Sequence, residues 1–361
     1  MSGLYFHVPF CTRKCLYCDF CSFENLSLID DFILAIEKEL SLCDKIPGRI
    51  ETLYIGGGTP SVLKEEQIER LFSVIRKRFD LSGLKETTFE ANPESMDLSK
   101  ARLLRSLGVD RISLGAQSFD ENNLRYLGRL ASYKRFTEAF EALRKAGFKN
   151  INADLIYALP GQKPQNWAED LKKAAEFGFE HISCYCLEIH EKTPLSLQPA
   201  RAREEDAETM YFMAIEKLKK AGYEQYEISN FSRPGRRSLH NMNYWQRGDY
   251  LGFGPSAASC TGNIRRVNLS SLDKYLASLS AGLPAQAFSE QLDSEDVFRE
   301  RLILGLRLND GIEYKGDIFI KFRDKLKDAL EKGFLEKDGN KVRIKEKFLF
   351  VSNAVISDIA F

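Results

Sequence analysis

The sequence predicts an α/β fold built on parallel strands. Six short apolar runs recur along the first part of the chain, and each is followed by a loop with glycine or polar residues and then by an amphipathic helical pattern. Strand, loop and helix in series require crossover connections, which make the strands parallel within one sheet or barrel. The six runs are 4–8, 52–55, 87–90, 111–114, 151–156 and 181–187.

The helices between these runs are marked by apolar residues at spacings of three and four. Gly147 and Gly222 stand directly after two of these patterns, where a helix commonly ends in a left-handed residue. The patterns predict helices over 28–43, 65–79, 132–146 and 204–221.

Composition narrows the class of protein. The chain has 361 residues, of which 43% are hydrophobic and 29% charged, and these are the proportions of a globular protein with a sizeable core. Lysine plus arginine and aspartate plus glutamate number 52 each, so no excess charge favours nucleic acid or an anionic membrane. The sequence lacks both an apolar run long enough to span a membrane and a secretory leader, and we therefore expect a cytoplasmic protein.

Three cysteines follow the first apolar run within one loop: Cys11, Cys15 and Cys18. In a reducing compartment, such a dense group indicates a metal site rather than disulfides. Structural zinc sites and iron-sulfur clusters both favour four protein ligands. The fourth position is therefore open either to Cys21, three residues further on, or to a small molecule. We interpret the alternating pair Cys184 and Cys186 as residues that pack within the barrel. A second metal site is the alternative.

Polar and glycine residues also follow the later runs. Because active residues of such folds lie at the carboxyl ends of the strands, these residues are expected at one rim. The triplet 56–58 is a backbone without side chains, which can approach a ligand and donate N–H groups to a carboxylate or phosphate. Glu90, Gln117, Arg129 and Asp154 are each ambiguous alone, since a strand-end carboxylate is often merely solvated.

The second half of the chain changes character. An extended segment over 223–228 and a loop over 232–237 precede the polar and aromatic run 240–245 and the glycine-rich run 248–255, which we expect to pack on the barrel. Helices over 294–306 and 318–332 and a hairpin over 334–345, turning at 338–340, predict a winged-helix-like α+β domain. The absence of excess positive charge favours a structural or partner-binding role. We therefore predict domains at 1–232 and 289–361, joined by a connecting segment at 233–288.

These motifs together resemble the radical S-adenosylmethionine (SAM) superfamily. The resemblance rests on Cys11-x3-Cys15-x2-Cys18 after the first strand and Gly56-Gly57-Gly58-Thr59-Pro60 after the second. It continues through Phe89-Glu90-Ala91-Asn92-Pro93, Gly115-Ala116-Gln117-Ser118-Phe119, Gly128-Arg129, the run 154–162 and His240-Asn241-x-Asn243-Tyr244-Trp245. Over nearly the whole chain, the sequence looks like the HemW branch of the oxygen-independent coproporphyrinogen oxidase family.

The resemblance implies a partial (β/α)6 barrel and a set of cofactor ligands. Cys11, Cys15 and Cys18 would hold a 4Fe-4S cluster whose unique iron binds the amino and carboxylate groups of SAM. Reduction of SAM by such a cluster yields methionine and a 5′-deoxyadenosyl radical. The implied SAM contacts are Tyr5 by the sulfonium, Gly57, Gly58 and Thr59 at the methionine end, Glu90 on the amine, Arg129 on the carboxylate, and Gln117 and Asp154 on the ribose.

Differences from the family patterns separate two functions. The enzymes that decarboxylate coproporphyrinogen carry a further cysteine where this chain has Phe20, and a longer segment before the first cysteine. Both differences favour a heme chaperone. Against the HemW pattern, Cys21 replaces an asparagine, and the segment 257–260 lacks a histidine. If that histidine helps to bind heme in the family, this chain would depend on His240 or Cys260, or would bind heme less well.

Three interpretations therefore stand. The first is a heme chaperone that passes heme to apoproteins. The second is an oxygen-independent coproporphyrinogen III dehydrogenase, which forms protoporphyrinogen IX by oxidative decarboxylation. The third is a zinc-stabilised scaffold. The first implies heme or porphyrin, a heme-accepting apoprotein, an electron donor such as flavodoxin or ferredoxin, and peripheral contact with the membrane through a partner.

Overall fold

A sheet of twelve strands organises the part of the chain that the structure describes. The computed structural model describes residues 2–43, 48–198 and 200–361. Within these ranges the sheet has the order β12-β11-β10-β9-β1-β2-β3-β4-β5-β6-β8-β7. The strands are β1 Ser2–Val8, β2 Ile50–Gly57, β3 Glu86–Ala91, β4 Arg111–Gln117, β5 Ile151–Tyr157, β6 His181–Cys186, β7 Glu224–Gln225, β8 Asn230–Ser232, β9 Asp249–Phe253, β10 Ala258–Thr261, β11 Ile264–Asn268, β12 Gln286–Gln291, β13 Ile312–Glu313, β14 Leu335–Asp338 and β15 Lys341–Ile344.

The six predicted strands form the parallel centre of this sheet. Each of β1 to β6 pairs in parallel with the next strand along the chain, and the observed ends lie close to the predicted ones. The predicted α/β fold with its partial (β/α)6 barrel is therefore confirmed. Residues on these strands are almost all buried, which explains why the sequence shows continuous apolar runs rather than alternation.

The sheet continues beyond both edges of this centre. On one side β9 pairs in parallel with β1, and β10, β11 and β12 extend it in antiparallel fashion. On the other side β8 pairs antiparallel with β6, and β7 pairs with β8. The segment 233–288 thus adds strands to the sheet in addition to packing against it. The predicted boundary at 232 stays a prediction.

The helices cover the sheet and close its core. They are α1 Ile29–Leu42, α2 Glu65–Arg78, α3 Leu98–Ser106, α4 Glu121–Tyr126, α5 Tyr133–Lys145, α6 Pro164–Phe177, α7 Glu204–Lys220, α8 Leu239–Trp245, α9 Leu272–Ser280, α10 Ser294–Arg307, α11 Asp317–Lys321, α12 Arg323–Glu331 and α13 Ser352–Ala360. The four predicted helices correspond to α1, α2, α5 and α7. Gly147 and Gly222 follow α5 and α7 with positive φ angles of 88° and 84°, as predicted.

One helix was not predicted, and one predicted extended segment is only partly a strand. The run 240–245 lies in the helix α8, although its residues have low helix propensity. The carboxylate of Glu86 accepts hydrogen bonds from the backbone N–H groups of Leu239 and His240, so a distant residue stabilises the start of this helix. The segment 223–228 is only partly a strand, since β7 ends at Gln225.

The C-terminal part combines helices with a small sheet, as the winged-helix-like prediction required. The predicted hairpin is confirmed, because β14 and β15 pair antiparallel around Gly339 and Asn340. The short strand β13 adds to β15, and the predicted second helix is divided into α11 and α12. This domain is tied to the sheet edge, where the N–H of Asn309 donates to the carbonyl of Tyr226.

None of the helices in residues 2–43, 48–198 and 200–361 is both long and apolar enough to cross a membrane.

Candidate functional site

A cavity of about 690 Å³ opens at the carboxyl ends of the parallel strands. Its volume lies in the range typical of small-molecule sites. The cysteine loop forms one side, and the C-terminal domain contributes Arg307, Phe350 and Asn353 to another. Predicted residues on its wall are Cys11, Cys15, Cys18, Gly57, Gly58, Thr59, Glu90, Gln117, Arg129 and Asp154. The structure therefore brings together ten of the twelve predicted site residues.

The cysteine loop is held by backbone hydrogen bonds at both ends. The N–H of Cys11 donates to the carbonyl of Phe23, and the N–H of Leu16 donates to the carbonyl of Leu127. Burial is the main cause that raises the pKa of the Cys11 thiol, and it raises the pKa of Cys18 to about 11. Both thiols are therefore protonated at neutral pH unless a positively charged centre stabilises their thiolates.

Cys21 differs from the other three cysteines of the loop. Its Sγ donates to the backbone carbonyl of Ser270, at 3.3 Å, in the segment after β11. It is not among the residues that line the cavity. This placement favours Cys11, Cys15 and Cys18 as the ligand set.

The glycine segment, residues 56–59, supports the cysteine loop, residues 9–21. The N–H of Gly58 donates to Val8, and the N–H of Thr59 donates to Phe10. A Cβ atom at Gly58 would lie 2.7 Å from the carbonyl oxygen of Phe10, so the close approach requires glycine. In this structure the N–H groups of the segment donate to Glu90, to strand β1 and to the cysteine loop. Its contacts with a ligand stay a prediction.

Glu90 is a buried acid beside the glycine segment. The hydroxyl of Tyr54 donates to its Oε1 at 2.6 Å, and the N–H of Gly57 donates to its Oε2 at 3.0 Å. Burial nevertheless raises the pKa of Glu90 to about 7, and the nearby Asp154 adds to the increase. A cationic amine placed here would favour the ionised carboxylate.

Arg129 connects two of the cysteines through Asn92. Its Nη2 donates to Asn92 Oδ1 at 2.9 Å, and its Nη1 lies 3.5 Å from the Sγ of Cys15. Asn92 in turn donates to the hydroxyl of Thr59, which lies 3.3 Å from the Sγ of Cys11. The Nε of Arg129 is buried and has no partner among the described residues. The guanidinium is therefore fixed in place with donor capacity left for an anion.

Gln117 and Asp154 lie on neighbouring strands. Gln117 has a positive φ of 66°, next to an irregularity in the pairing of β4 with β5. Such backbone strain is common at functional sites. Asp154 accepts hydrogen bonds from Ser113 and Asn152, which orient its carboxylate.

Two predicted residues do not line the cavity. Tyr5 donates to or accepts from His7 at 2.9 Å, and it packs beside Tyr54. His240 is buried, and its two ring nitrogens bond to Thr52 and to Tyr244, both at 2.9 Å. Burial lowers the pKa of His240 to about 3, so the ring is neutral. The structure thus gives no support to His240 as a direct ligand.

Several wall residues were missed by the sequence analysis: Tyr54, Asn92, Ser113, Asn152, Cys186 and His190. Ser113 and Asn152 lie two residues before Gly115 and Asp154 on the same strands, so two-residue periodicity was the signal that pointed to them. Cys186 was interpreted as barrel packing. Its neighbour Cys184 lies in the core, whereas Cys186 at the strand end reaches the cavity.

The donor set fits a cluster better than a single ion. Within residues 2–43, 48–198 and 200–361, no three Cys, His, Asp or Glu side chains are close enough together to hold one metal ion. Cys11, Cys15 and Cys18 nevertheless all face one cavity, so they could ligate a larger centre inside it. When bound, a 4Fe-4S cluster with SAM would supply one-electron chemistry.

Comparisons with known proteins agree with this arrangement. Residues 5–174 match the Radical SAM superfamily, and residues 292–350 match the HemN C-terminal domain. The structure resembles that of coproporphyrinogen III oxidase (HemN) from Escherichia coli with a TM-score of 0.87, over 99% of this chain and 89% of that one. The two sequences are 23% identical, so this likeness shows the fold.

Relatives with higher sequence identity share one name, heme chaperone HemW. The protein of Lactococcus lactis is 36% identical over 92% of this chain and 86% of its own length. The protein of Bacillus subtilis is 33% identical, over 98% of each chain. The Escherichia coli protein is 33% identical over 92% of this chain and 91% of its own.

The Radical SAM match implies a 4Fe-4S cluster and SAM as cofactors. The chain therefore belongs to the radical SAM superfamily and, within it, to the HemW family.

Proposed function

We propose that this protein is a heme chaperone, which binds heme in the cavity and transfers it to acceptor proteins. The observation that carries the proposal is the identity of 36% with a relative named heme chaperone HemW over 92% of the chain. The cavity supports it, since it extends from the cysteine loop to the C-terminal domain.

Phe20 supports the chaperone over the enzyme. The residue is 63% exposed and lines the cavity beside the cysteine loop. By the family resemblance, the enzymes that decarboxylate coproporphyrinogen carry a cysteine at this position. A phenylalanine at this place cannot ligate a metal or transfer a thiol hydrogen atom. An exposed aromatic ring can instead pack on the face of a flat porphyrin.

In this proposal the cofactor shell retains the roles implied by the family resemblance. Cys11, Cys15 and Cys18 hold the cluster. Glu90 meets the amine of SAM, where a cation would stabilise the buried carboxylate. Arg129 meets its carboxylate with a charge-assisted hydrogen bond. The remaining proposed contacts are Gly57, Gly58 and Thr59 with the methionine end, Gln117 and Asp154 with the ribose, and Tyr5 near the sulfonium.

The four histidines differ in whether a ring nitrogen is accessible to bind heme iron as an axial ligand. His7, His181 and His240 are buried, and both ring nitrogens of each are hydrogen-bonded. Cys260 is buried on β10 and is not on the cavity wall. The side chain of His190 is 47% exposed and lines the cavity, with its Nε2 at 3.5 Å from a carboxylate oxygen of Asp19. A carboxylate beside a histidine can orient the ring for binding a metal, so we propose His190 as the iron ligand.

The proposal also concerns partners. A chaperone requires a heme-accepting apoprotein, and reduction of the cluster requires a donor such as flavodoxin or ferredoxin. Peripheral contact with the membrane through the acceptor remains part of the proposal.

An anaerobic assay tests the chaperone against the dehydrogenase. The protein is reconstituted with iron and sulfide, and SAM, a reductant and coproporphyrinogen III are added while protoporphyrinogen IX is measured. Heme uptake is followed in parallel by visible absorption. We expect heme uptake and no protoporphyrinogen. Formation of protoporphyrinogen over many turnovers would show that the protein is the dehydrogenase.

A further inference from the structure

A group of four polar and aromatic side chains lies where the cavity meets the C-terminal domain. It consists of Trp245 at the end of α8, Arg307 at the end of α10, Asn230 at the start of β8 and Glu227 just before that strand. All four residues line the cavity. None of them has a proposed role in binding the 4Fe-4S cluster or SAM.

The protein itself satisfies this group poorly. The Nε of Arg307 and the Nε1 of Trp245 are buried donors without partners among the described residues. The remaining contacts of Arg307 are long, since Nη1 lies 3.4 Å from Asn353 Oδ1 and Nη2 lies 3.9 Å from Glu227 Oε2. Leaving a buried donor unpaired is unfavourable, so a ligand that accepts hydrogen bonds from this group gains binding energy.

The geometry of the group selects an anion. The guanidinium of Arg307 lies over the indole ring of Trp245, at 4.7 Å from its centroid, which holds the arginine in a defined orientation. A planar guanidinium with free donors matches a carboxylate, which it can bind through two parallel hydrogen bonds. The amide of Asn353 lies on the same wall and offers another donor.

Glu227 is the acidic member of this group, and its ionised carboxylate would repel an anionic ligand. Its Oε1 accepts from Ser229 and Asn230, whereas its Oε2 has only the distant Arg307. Burial is the largest cause that raises the pKa of Glu227. Arrival of a second carboxylate favours proton uptake by Glu227, which frees the charge of Arg307 for the ligand.

We infer that Arg307 and Trp245 form a carboxylate site, which receives a propionate group of the bound porphyrin. This inference rests on the proposed heme chaperone function and specifies how the ligand is oriented. With a propionate held at the C-terminal domain, the porphyrin ring extends into the same cavity that the cysteine loop lines.

The test compares heme with heme dimethyl ester, in which both propionates are uncharged. Each ligand is titrated into the reconstituted full-length protein, and binding is followed by visible absorption. A charge-assisted hydrogen bond contributes about 1.5–3 kcal/mol, so we expect heme to bind roughly tenfold to a hundredfold more tightly than the ester. Equal affinity for the two ligands would overturn the inference.

Substitutions at Arg307 test whether this residue causes the preference for heme over the ester. Arg307→Gln should bind both ligands with the affinity of the ester. The double variant Arg307→Gln with Glu227→Gln should behave in the same way, and it avoids leaving an unpaired buried carboxylate. Arg301→Gln is the matched control, because Arg301 lies on the same helix, pairs with Asp317 and does not line the cavity. It should keep the preference for heme.

The outcomes separate this inference from the function on which it rests. If the two Arg307 variants keep the wild-type preference, the carboxylate binds elsewhere and the inference is wrong, while the chaperone function stands. If the wild-type protein binds neither ligand, the proposed function itself fails.

Discussion

Glu90 shows how one buried carboxylate can make cofactor binding depend on pH. Its pKa is raised to about 7, chiefly by burial, so the carboxyl group is partly protonated near neutrality. A SAM ammonium group binds only the ionised form. Affinity for SAM should therefore be highest above pH 7 and fall as the pH decreases below that value.

This pH dependence can be measured with a single substitution as control. Below pH 7 the SAM dissociation constant of the reconstituted protein should rise, approaching about tenfold per pH unit. Glu90→Gln should bind SAM more weakly and without this dependence. Equilibrium dialysis between pH 5.5 and 8.5 checks both. An unchanged pH profile in Glu90→Gln would remove Glu90 from the amine site.

The cysteines allow a direct count of ligands. Cys15→Ala should abolish the visible absorption of the reconstituted cluster, because it removes one of the three thiols on the cavity wall. Cys21→Ala should keep that absorption and lose only its hydrogen bond to Ser270. Iron and sulfide content measured alongside absorption gives the result. A bleached Cys21→Ala protein would mean that Cys21 is a ligand.

The histidines give a similar contrast for heme. His190→Ala should weaken heme binding by at least about tenfold, since even residues that only support a metal ligand contribute that much. His240→Ala should instead lower the free energy of unfolding by about 1–3 kcal/mol. The reason is that the buried hydroxyls of Thr52 and Tyr244 lose the hydrogen bonds they form with His240. Heme titration and thermal unfolding distinguish them. The opposite pattern would restore His240 as the ligand.

At the scale of elements, the contact between the glycine segment and the cysteine loop is tight enough to test. Gly58→Ala would place a methyl group 2.7 Å from the Phe10 carbonyl, and overpacking of this kind costs about 1–3 kcal/mol. Gly147→Ala is the control, since open space surrounds its position and the cost is limited to that of a positive φ, about 1–2 kcal/mol. Thermal unfolding and cluster content are the measurements.

We expect Gly58→Ala to lose both stability and cluster, and Gly147→Ala to lose a little stability alone. Full cluster loading in Gly58→Ala would show that the loop does not depend on this contact.

The elements differ in how far the sequence predicts them. Strands β1 to β6 and helices α1, α2, α5 and α7 were predictable because each carries its own apolar pattern. Helix α8 was not, because its first turn is stabilised by Glu86 from a distant strand. Strand β9 lies within the glycine-rich run 248–255 and pairs with the first strand of the chain, and no local sequence pattern predicts that contact.

For the whole molecule, the candidate site was predictable in its centre and not at its edges. Residues at successive strand ends meet because parallel strands align there, and motif resemblance identified them. Arg307, Phe350 and Asn353 reach the cavity only because the C-terminal domain packs against the sheet edge. Tyr5 and His240 were implied by the family resemblance, yet their side chains form hydrogen bonds within the protein and do not line the cavity.

The central claim is that this cavity holds heme for delivery, and transfer to an acceptor tests it most directly. The reconstituted protein is loaded with heme, freed of excess ligand and mixed with apomyoglobin, a generic acceptor with a distinct absorption spectrum. We expect a stable heme-protein band before mixing and the spectrum of holomyoglobin afterwards. Failure to take up heme, or retention of the heme in the presence of the acceptor, would contradict the proposed function.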